Sequence, residues 1–178
     1  MMLIKKNLLK IIAVVSVLFL SMYTLTGCEN GILKSDKNDE KENNEIAESY
    51  EEPIKNMIEG LSDANSETFL KAFPNFISDY MGDIFTDEYL ENTLENAEAE
   101  FGANVKMSYK VTNKTEIDEE DLRKMEEDVK TNFEEEITIT KGYELEVDVT
   151  TKGEDIEDTE KDAFNVYEVD GKWYILDL

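Results

Sequence analysis

The stretch FNVYEVDGKWYIL, residues 164–176, decides the fold of this 178-residue chain. Its centre, Asp170-Gly171, is a pair favoured in two-residue hairpin turns, because both turn positions need a positive φ. β-Branched and aromatic residues flank the pair. They predict one strand from about Glu160 to Val169 and another from Trp173 to Leu178. The second strand is apolar on both faces, which is typical of a strand that is covered on both sides.

Two further strands are predicted before this hairpin. Apolar and polar residues alternate from Val105 to Val111, as they do in half-buried strands. They alternate again from Tyr143 to Val149, where every intervening residue is acidic. The sequence therefore predicts about four strands in its second half.

The first half of the chain has the apolar period of helices. A helix that begins near Pro53 carries a single stripe at the i, i+3, i+4, i+7 spacing, formed by Ile54, Met57, Ile58 and Leu61. Later helices are predicted to have their N-caps at Asn65, Thr86 and Asp118. The helix that follows Asp118 is expected to run to about Glu135, between the first and second strands.

Helices followed by an antiparallel sheet indicate an α+β fold, and residues 51–178 have the size of one domain. This order, with the ending Gly171-Lys172-Trp173-Tyr174, resembles the NTF2-like (nuclear transport factor 2-like) superfamily, especially the small lipoproteins of Gram-positive bacteria with that fold. The resemblance implies a curved sheet of about four strands that wraps around the N-terminal helices and leaves a conical pocket. The helix after Asp118 departs from the simplest family pattern, and the cystatin-like fold remains an alternative.

The first 28 residues have the pattern of an export signal. Three lysines precede the apolar run Ile11–Leu20, which is shorter than the roughly 20 residues of a membrane-spanning helix. The tetrapeptide Leu25-Thr26-Gly27-Cys28 resembles the lipobox of bacterial lipoproteins. The resemblance implies that residues 1–27 are removed and that lipid on Cys28 anchors the chain to the extracytoplasmic face of the cell membrane. Residues 28–50 are then the lipidated cysteine and an acidic linker too polar to fold.

The composition excludes several classes of function. The chain has 43 Asp+Glu against 18 Lys+Arg and a formal net charge of −25, so it repels phosphate backbones, and no nucleic-acid partner is expected. It has no His and one Cys. These counts exclude a histidine base, a histidine metal site and an intramolecular disulfide framework. We therefore expect no cofactor.

Carboxylates and tyrosines are the remaining candidates for chemistry. Some NTF2-like enzymes use an Asp base in an apolar cone, with a Tyr and a protonated Asp stabilising the oxyanion, as in ketosteroid isomerase. We interpret the acids here as solvated, because i, i+4 pairs such as Asp79 and Asp83 arise by chance in so acidic a chain. The acidic runs 116–121 and 134–136 lack the ligand spacing of a calcium loop, so no metal site is predicted. The candidate catalytic ingredients are Asp63, Asp79, Tyr80, Asp83, Tyr109 and Tyr143.

The functional prediction is a membrane-tethered, non-catalytic module that binds an unidentified small molecule or protein. Its pocket would be lined by aromatic side chains, with candidates Tyr80, Tyr109, Tyr143 and Trp173. One alternative is a pocket enzyme of the isomerase or dehydratase type, and another is a structural component of the cell envelope.

Overall fold

The structure, a computed structural model, describes residues 49–176. After a 3-10 turn at Ser49–Glu51, the helices are α1 (Glu52–Ser62), α2 (Ser66–Leu70), α3 (Asn75–Met81), α4 (Asp87–Phe101) and α5 (Glu119–Phe133). The strands are β1 (Lys106–Glu116), β2 (Ile139–Lys152), β3 (Glu157–Val169) and β4 (Lys172–Ile175). They form one antiparallel sheet in the order β1-β2-β3-β4. The predicted α+β class and its four antiparallel strands are confirmed. The predicted signal and Cys28 lie outside the described residues.

The three predicted N-caps are confirmed. Asn65 Oδ1 accepts a hydrogen bond from the backbone N–H of Thr68 at 2.8 Å. Thr86 Oγ1 accepts one from Tyr89 N at 3.2 Å, and Asp118 Oδ1 accepts two from the first turn of α5. Each cap satisfies backbone donors that have no partner inside the helix, which fixes where α2, α4 and α5 begin.

The hairpin between β3 and β4 has the predicted turn. Asp170 has φ +52° and Gly171 has φ +76°, as a type I′ turn requires. β3 is longer than predicted, because its first residue, Glu157, already pairs with Lys152 of β2. β4 is shorter than predicted and ends at Ile175.

One helix holds the two outer strands of the sheet. The stripe of α1 is at most 3% exposed and joins the core formed by Leu145, Val147 and Val149. We call the sheet face that carries these three β2 residues the inner face. α1 contacts both β1 and β4, which are the opposite edges of the sheet. α1 therefore spans the sheet from one edge to the other.

A hydrogen bond at each edge of the sheet joins that edge to the helical layer. Met107 N in β1 donates to Ser62 Oγ at the end of α1, at 3.3 Å. Ile175 N in β4 donates to Ala72 O, between α2 and α3, at 2.8 Å. These bonds occupy edge donors that would otherwise be open to another strand.

The opposite, outer face of the sheet is covered at one end by α5. A Cβ atom on Gly142 of β2 would lie 2.8 Å from Leu122 Cδ2 of α5, so the glycine permits the close contact. Further along β2, the outward residues Glu144 and Glu146 are exposed. In the range that the structure describes, no helix has both the length and the apolar character needed to cross a membrane.

Candidate functional site

Three aromatic rings meet on the inner face of the sheet. Tyr143 of β2 and Trp173 of β4 stack with centroids 5.2 Å apart and planes 12° apart. Tyr50, in the turn before α1, presents its ring at steep angles to both, with centroid distances of 5.4 Å to Tyr143 and 6.1 Å to Trp173. We call these three residues the aromatic cluster. Edge-to-face and offset stacked arrangements are those that aromatic rings favour.

Strand register brings Tyr143 and Trp173 to the same face. Tyr143 pairs with Val166 of β3, and Val166 pairs with Ile175 of β4. Trp173 is two residues before Ile175, so its side chain is on the same face of the sheet. The rings therefore reach towards each other across β3.

A β-bulge adds a lysine to the aromatic cluster. The register of β1 against β2 shifts between Val111 and Asn113, leaving Thr112 as the extra residue. Thr112 Oγ1 donates to Glu146 O at 3.1 Å. After the bulge, Lys114 pairs with inward-facing Leu145 and so lies on the inner face.

The ammonium group of Lys114 lies against two of the rings. Its Nζ is 4.1 Å from the ring centroid of Tyr50 and 4.8 Å from that of Tyr143. Both distances are within the roughly 6 Å range of cation–π attraction. Lys114 thus links the edge strand β1 to the turn that precedes α1.

Sequence reasoning missed Tyr50 and Lys114 as members of this site. A regular continuation of the alternation from Val105 to Val111 would place Lys114 on the outer face. Tyr50 precedes the α1 stripe across Pro53, and its spacing carries no signal for the sheet residues that it contacts.

The four aromatic residues predicted to line a pocket are not all together. Tyr143 and Trp173 stack on each other in the aromatic cluster. Tyr109 is on the inner face of β1 opposite Val149, where burial, with Glu51 and Glu59 nearby, raises its pKa to about 12. Tyr80, at the end of α3, is 42% exposed.

The carboxylates considered as possible catalytic ingredients, and interpreted as solvated, are also dispersed. Asp63, Asp79 and Asp83 are all exposed, so they lack the apolar surroundings that would prepare an acid for proton transfer. Asp63 instead has Lys106 Nζ at 3.8 Å. Asp79 and Asp83 do not share a helix, because α3 ends at Met81.

A cleft of about 530 Å³ opens beside Trp173, between β4 and the first three helices. Glu67 and Lys71 on its wall form an ion pair at 3.1 Å. Four other polar lining residues have side chains that make no hydrogen bond or ion pair with the part of the chain that the structure describes: Glu52, Asn56, Asn75 and Lys172. Within residues 49–176, the cleft therefore has free donors and acceptors beside Trp173.

A smaller cavity of about 250 Å³ lies between α5 and the outer face. Acidic residues dominate its charged lining, with Asp121, Asp128 and Glu144 against Lys124. Within residues 49–176, no group of three or more His, Cys, Asp or Glu side chains is arranged to hold a metal ion.

Asp162 is a half-buried carboxylate with an unsatisfied oxygen, as is Asp148 on the outer face. Asp162 pairs with Val147 on the inner face, and its Oδ2 is buried with no hydrogen-bond partner among the described residues. Burial raises the pKa of this carboxyl. Asp162 lines neither cavity described above.

No protein-family model, curated protein sequence or solved structure matches this chain.

The contact between Lys114 and Tyr143 should be measurable as a coupling free energy. In a double-mutant cycle with Lys114→Met and Tyr143→Leu, we expect about 0.5–1 kcal/mol in the free energy of unfolding. Lys110→Met is the matched control, because Lys110 pairs with outward-facing Asp148 before the bulge. Equal coupling of Tyr143 to Lys110 and Lys114 would contradict the placement of Lys114.

Asp162→Asn should stabilise the fold at pH 7. A carboxyl whose pKa is higher in the folded state destabilises that state when it is ionised. This loss of folding free energy is complete above the raised pKa. It disappears below the ordinary value of 3.8, and the advantage of the variant should shrink as the pH falls towards 3.8. Urea unfolding at several pH values measures this, with Asp158→Asn on the same face as the control. A loss of stability at pH 7 would show that the Asp162 carboxylate is instead stabilised.

Proposed function

We propose that this chain is an exported lipoprotein whose folded domain is a non-catalytic binding module. The export signal and the lipobox support the anchor on Cys28, which places the domain on the extracytoplasmic face of the cell membrane. A lipobox cysteine carries two acyl chains or more, and two lipid anchors suffice for stable attachment.

The observation that carries the binding role is the cleft beside Trp173. Ligand sites combine an apolar wall with a few converging polar groups. Trp173 supplies the wall. The side chains of Glu52, Asn56 and Lys172, which have no partner among the residues that the structure describes, supply polar groups from α1 and β4. The described part of the domain begins next to this cleft, because Tyr50 contacts Trp173.

An NTF2-like arrangement is the finer fold that we propose. The contacts of α1 with both β1 and β4 support it, since a sheet that wraps around its first long helix requires them. Leu145, Val147 and Val149 are at most 2% exposed, so the centre of the inner face is filled by core packing. This favours a binding site on the rim over a deep catalytic cone.

A pocket enzyme is the second candidate, and Asp162 is the observation that favours it. Asp162 is half-buried, and a desolvated carboxylate with a raised pKa is a common feature of acid–base sites. The described cavities do not reach Asp162, so substrate access to it is lacking there. We therefore favour the binding module.

Cys28→Ala should abolish lipid attachment. Wild-type protein from the membrane fraction is expected to have lost residues 1–27 and to carry added acyl mass, whereas the variant should lack both changes. Intact-mass measurement of fractionated cells tests this, and Ser35→Ala in the linker is the control. A Cys28→Ala protein that stays membrane-bound with unchanged processing would overturn the proposed anchor.

A further inference from the structure

We infer that the cleft beside Trp173 binds a neutral oligosaccharide. The inference rests on the proposed binding module and adds the chemical class of its ligand. It is carried by three features of the cleft: its charge balance, its mixed donors and acceptors, and its fixed aromatic wall.

The cleft is locally neutral although the chain carries a net charge of −25. Two acids and two lysines line it, and one of each, Glu67 and Lys71, already form an ion pair. Glu52 and Lys172 remain, and their charges are opposite. An anionic ligand would be repelled by the rest of the molecule, and a cationic ligand would be attracted to many other surfaces. A neutral ligand is neither repelled by the net charge of the chain nor attracted to its other acidic surfaces.

The free polar groups suit hydroxyl groups. Asn56 and Asn75 each offer an amide donor and an amide acceptor, Glu52 offers only acceptors, and Lys172 offers only donors. A sugar hydroxyl both donates and accepts, so neighbouring hydroxyls on one ring can use this mixture. A purely apolar ligand would leave these groups unsatisfied on burial.

The aromatic wall is held in place before a ligand arrives. Tyr143 stacks on one face of the Trp173 indole, and Tyr50 contacts it at a steep angle. Trp173 also lines the cleft. A ring that is already fixed loses little conformational entropy on binding. The C–H face of a sugar ring can pack against such a surface.

A bound peptide strand fits this edge poorly. Strand addition uses the free backbone groups of an edge strand. The outward N–H of Ile175 in β4 already donates to Ala72 O at 2.8 Å. An added strand at this position would have to displace the segment between α2 and α3.

Titration of the full-length lipidated protein with trisaccharides tests the inference. The probes are the trisaccharides of N-acetylglucosamine, of α-1,4-linked glucose and of β-1,4-linked glucose, in a detergent without a sugar headgroup. Trp173 is the only tryptophan in the chain, so its emission reports on the cleft directly. At least one trisaccharide should change the emission with a Kd below about 10 mM. Asn56→Ala and Asn75→Ala should each weaken that binding about five- to tenfold, because each removes hydrogen bonds to the ligand.

Asn96→Ala is the matched control, because Asn96 is exposed on α4 and does not line the cleft. Trisaccharide binding that Asn56→Ala and Asn75→Ala leave unchanged would overturn the assignment to this cleft. If no trisaccharide binds but a peptide fraction of digested cell envelope changes the Trp173 emission, the ligand class is wrong and the binding module stands. If neither glycans nor peptides from the envelope change the emission, both proposals are overturned.

Discussion

The structure depends on the packing of α1 across the inner face of the sheet. Its stripe forms the core with β2, while its contacts reach both outer strands. Two hydrogen bonds fix these edges, from Met107 to Ser62 and from Ile175 to Ala72. Once α1 is in this position, the turn before it brings Tyr50 against the stack of Tyr143 and Trp173. The helical layer beside β4 then forms the cleft. One packing arrangement therefore sets both the anchoring of the sheet edges and the candidate site.

Features set by neighbouring residues could be predicted from the sequence. The N-caps at Asn65, Thr86 and Asp118 and the turn at Asp170-Gly171 each depend on a few adjacent residues, and all four are present. The bulge at Thr112 could not be predicted, because its hydrogen bond goes to Glu146 O on another strand. Extrapolating the alternation of residues 105–111 past the bulge assigns every later residue of β1 to the wrong face of the sheet.

The candidate site was only partly predictable for the same reason. Tyr143 and Trp173 follow from strand patterning, because both lie on an apolar face that must be covered. The polar side of the cleft combines residues of α1, β4 and the start of α3, such as Asn56, Lys172 and Asn75, which are distant in sequence. Nothing local distinguishes these side chains from the many other polar residues of an acidic chain. Only tertiary packing shows that they converge.

Native-state hydrogen exchange of the full chain tests the central claim, that the helical layer holds both sheet edges. The N–H groups of Met107 and Ile175 point away from the sheet towards Ser62 Oγ and Ala72 O. Tyr109 N–H points in the same direction as Met107 N–H, because alternate residues of an edge strand share that direction. The account predicts exchange at least about tenfold slower at Met107 and Ile175 than at Tyr109, with Ser62→Ala removing the protection at Met107 alone. Equally fast exchange at all three amides in the wild-type protein would contradict it.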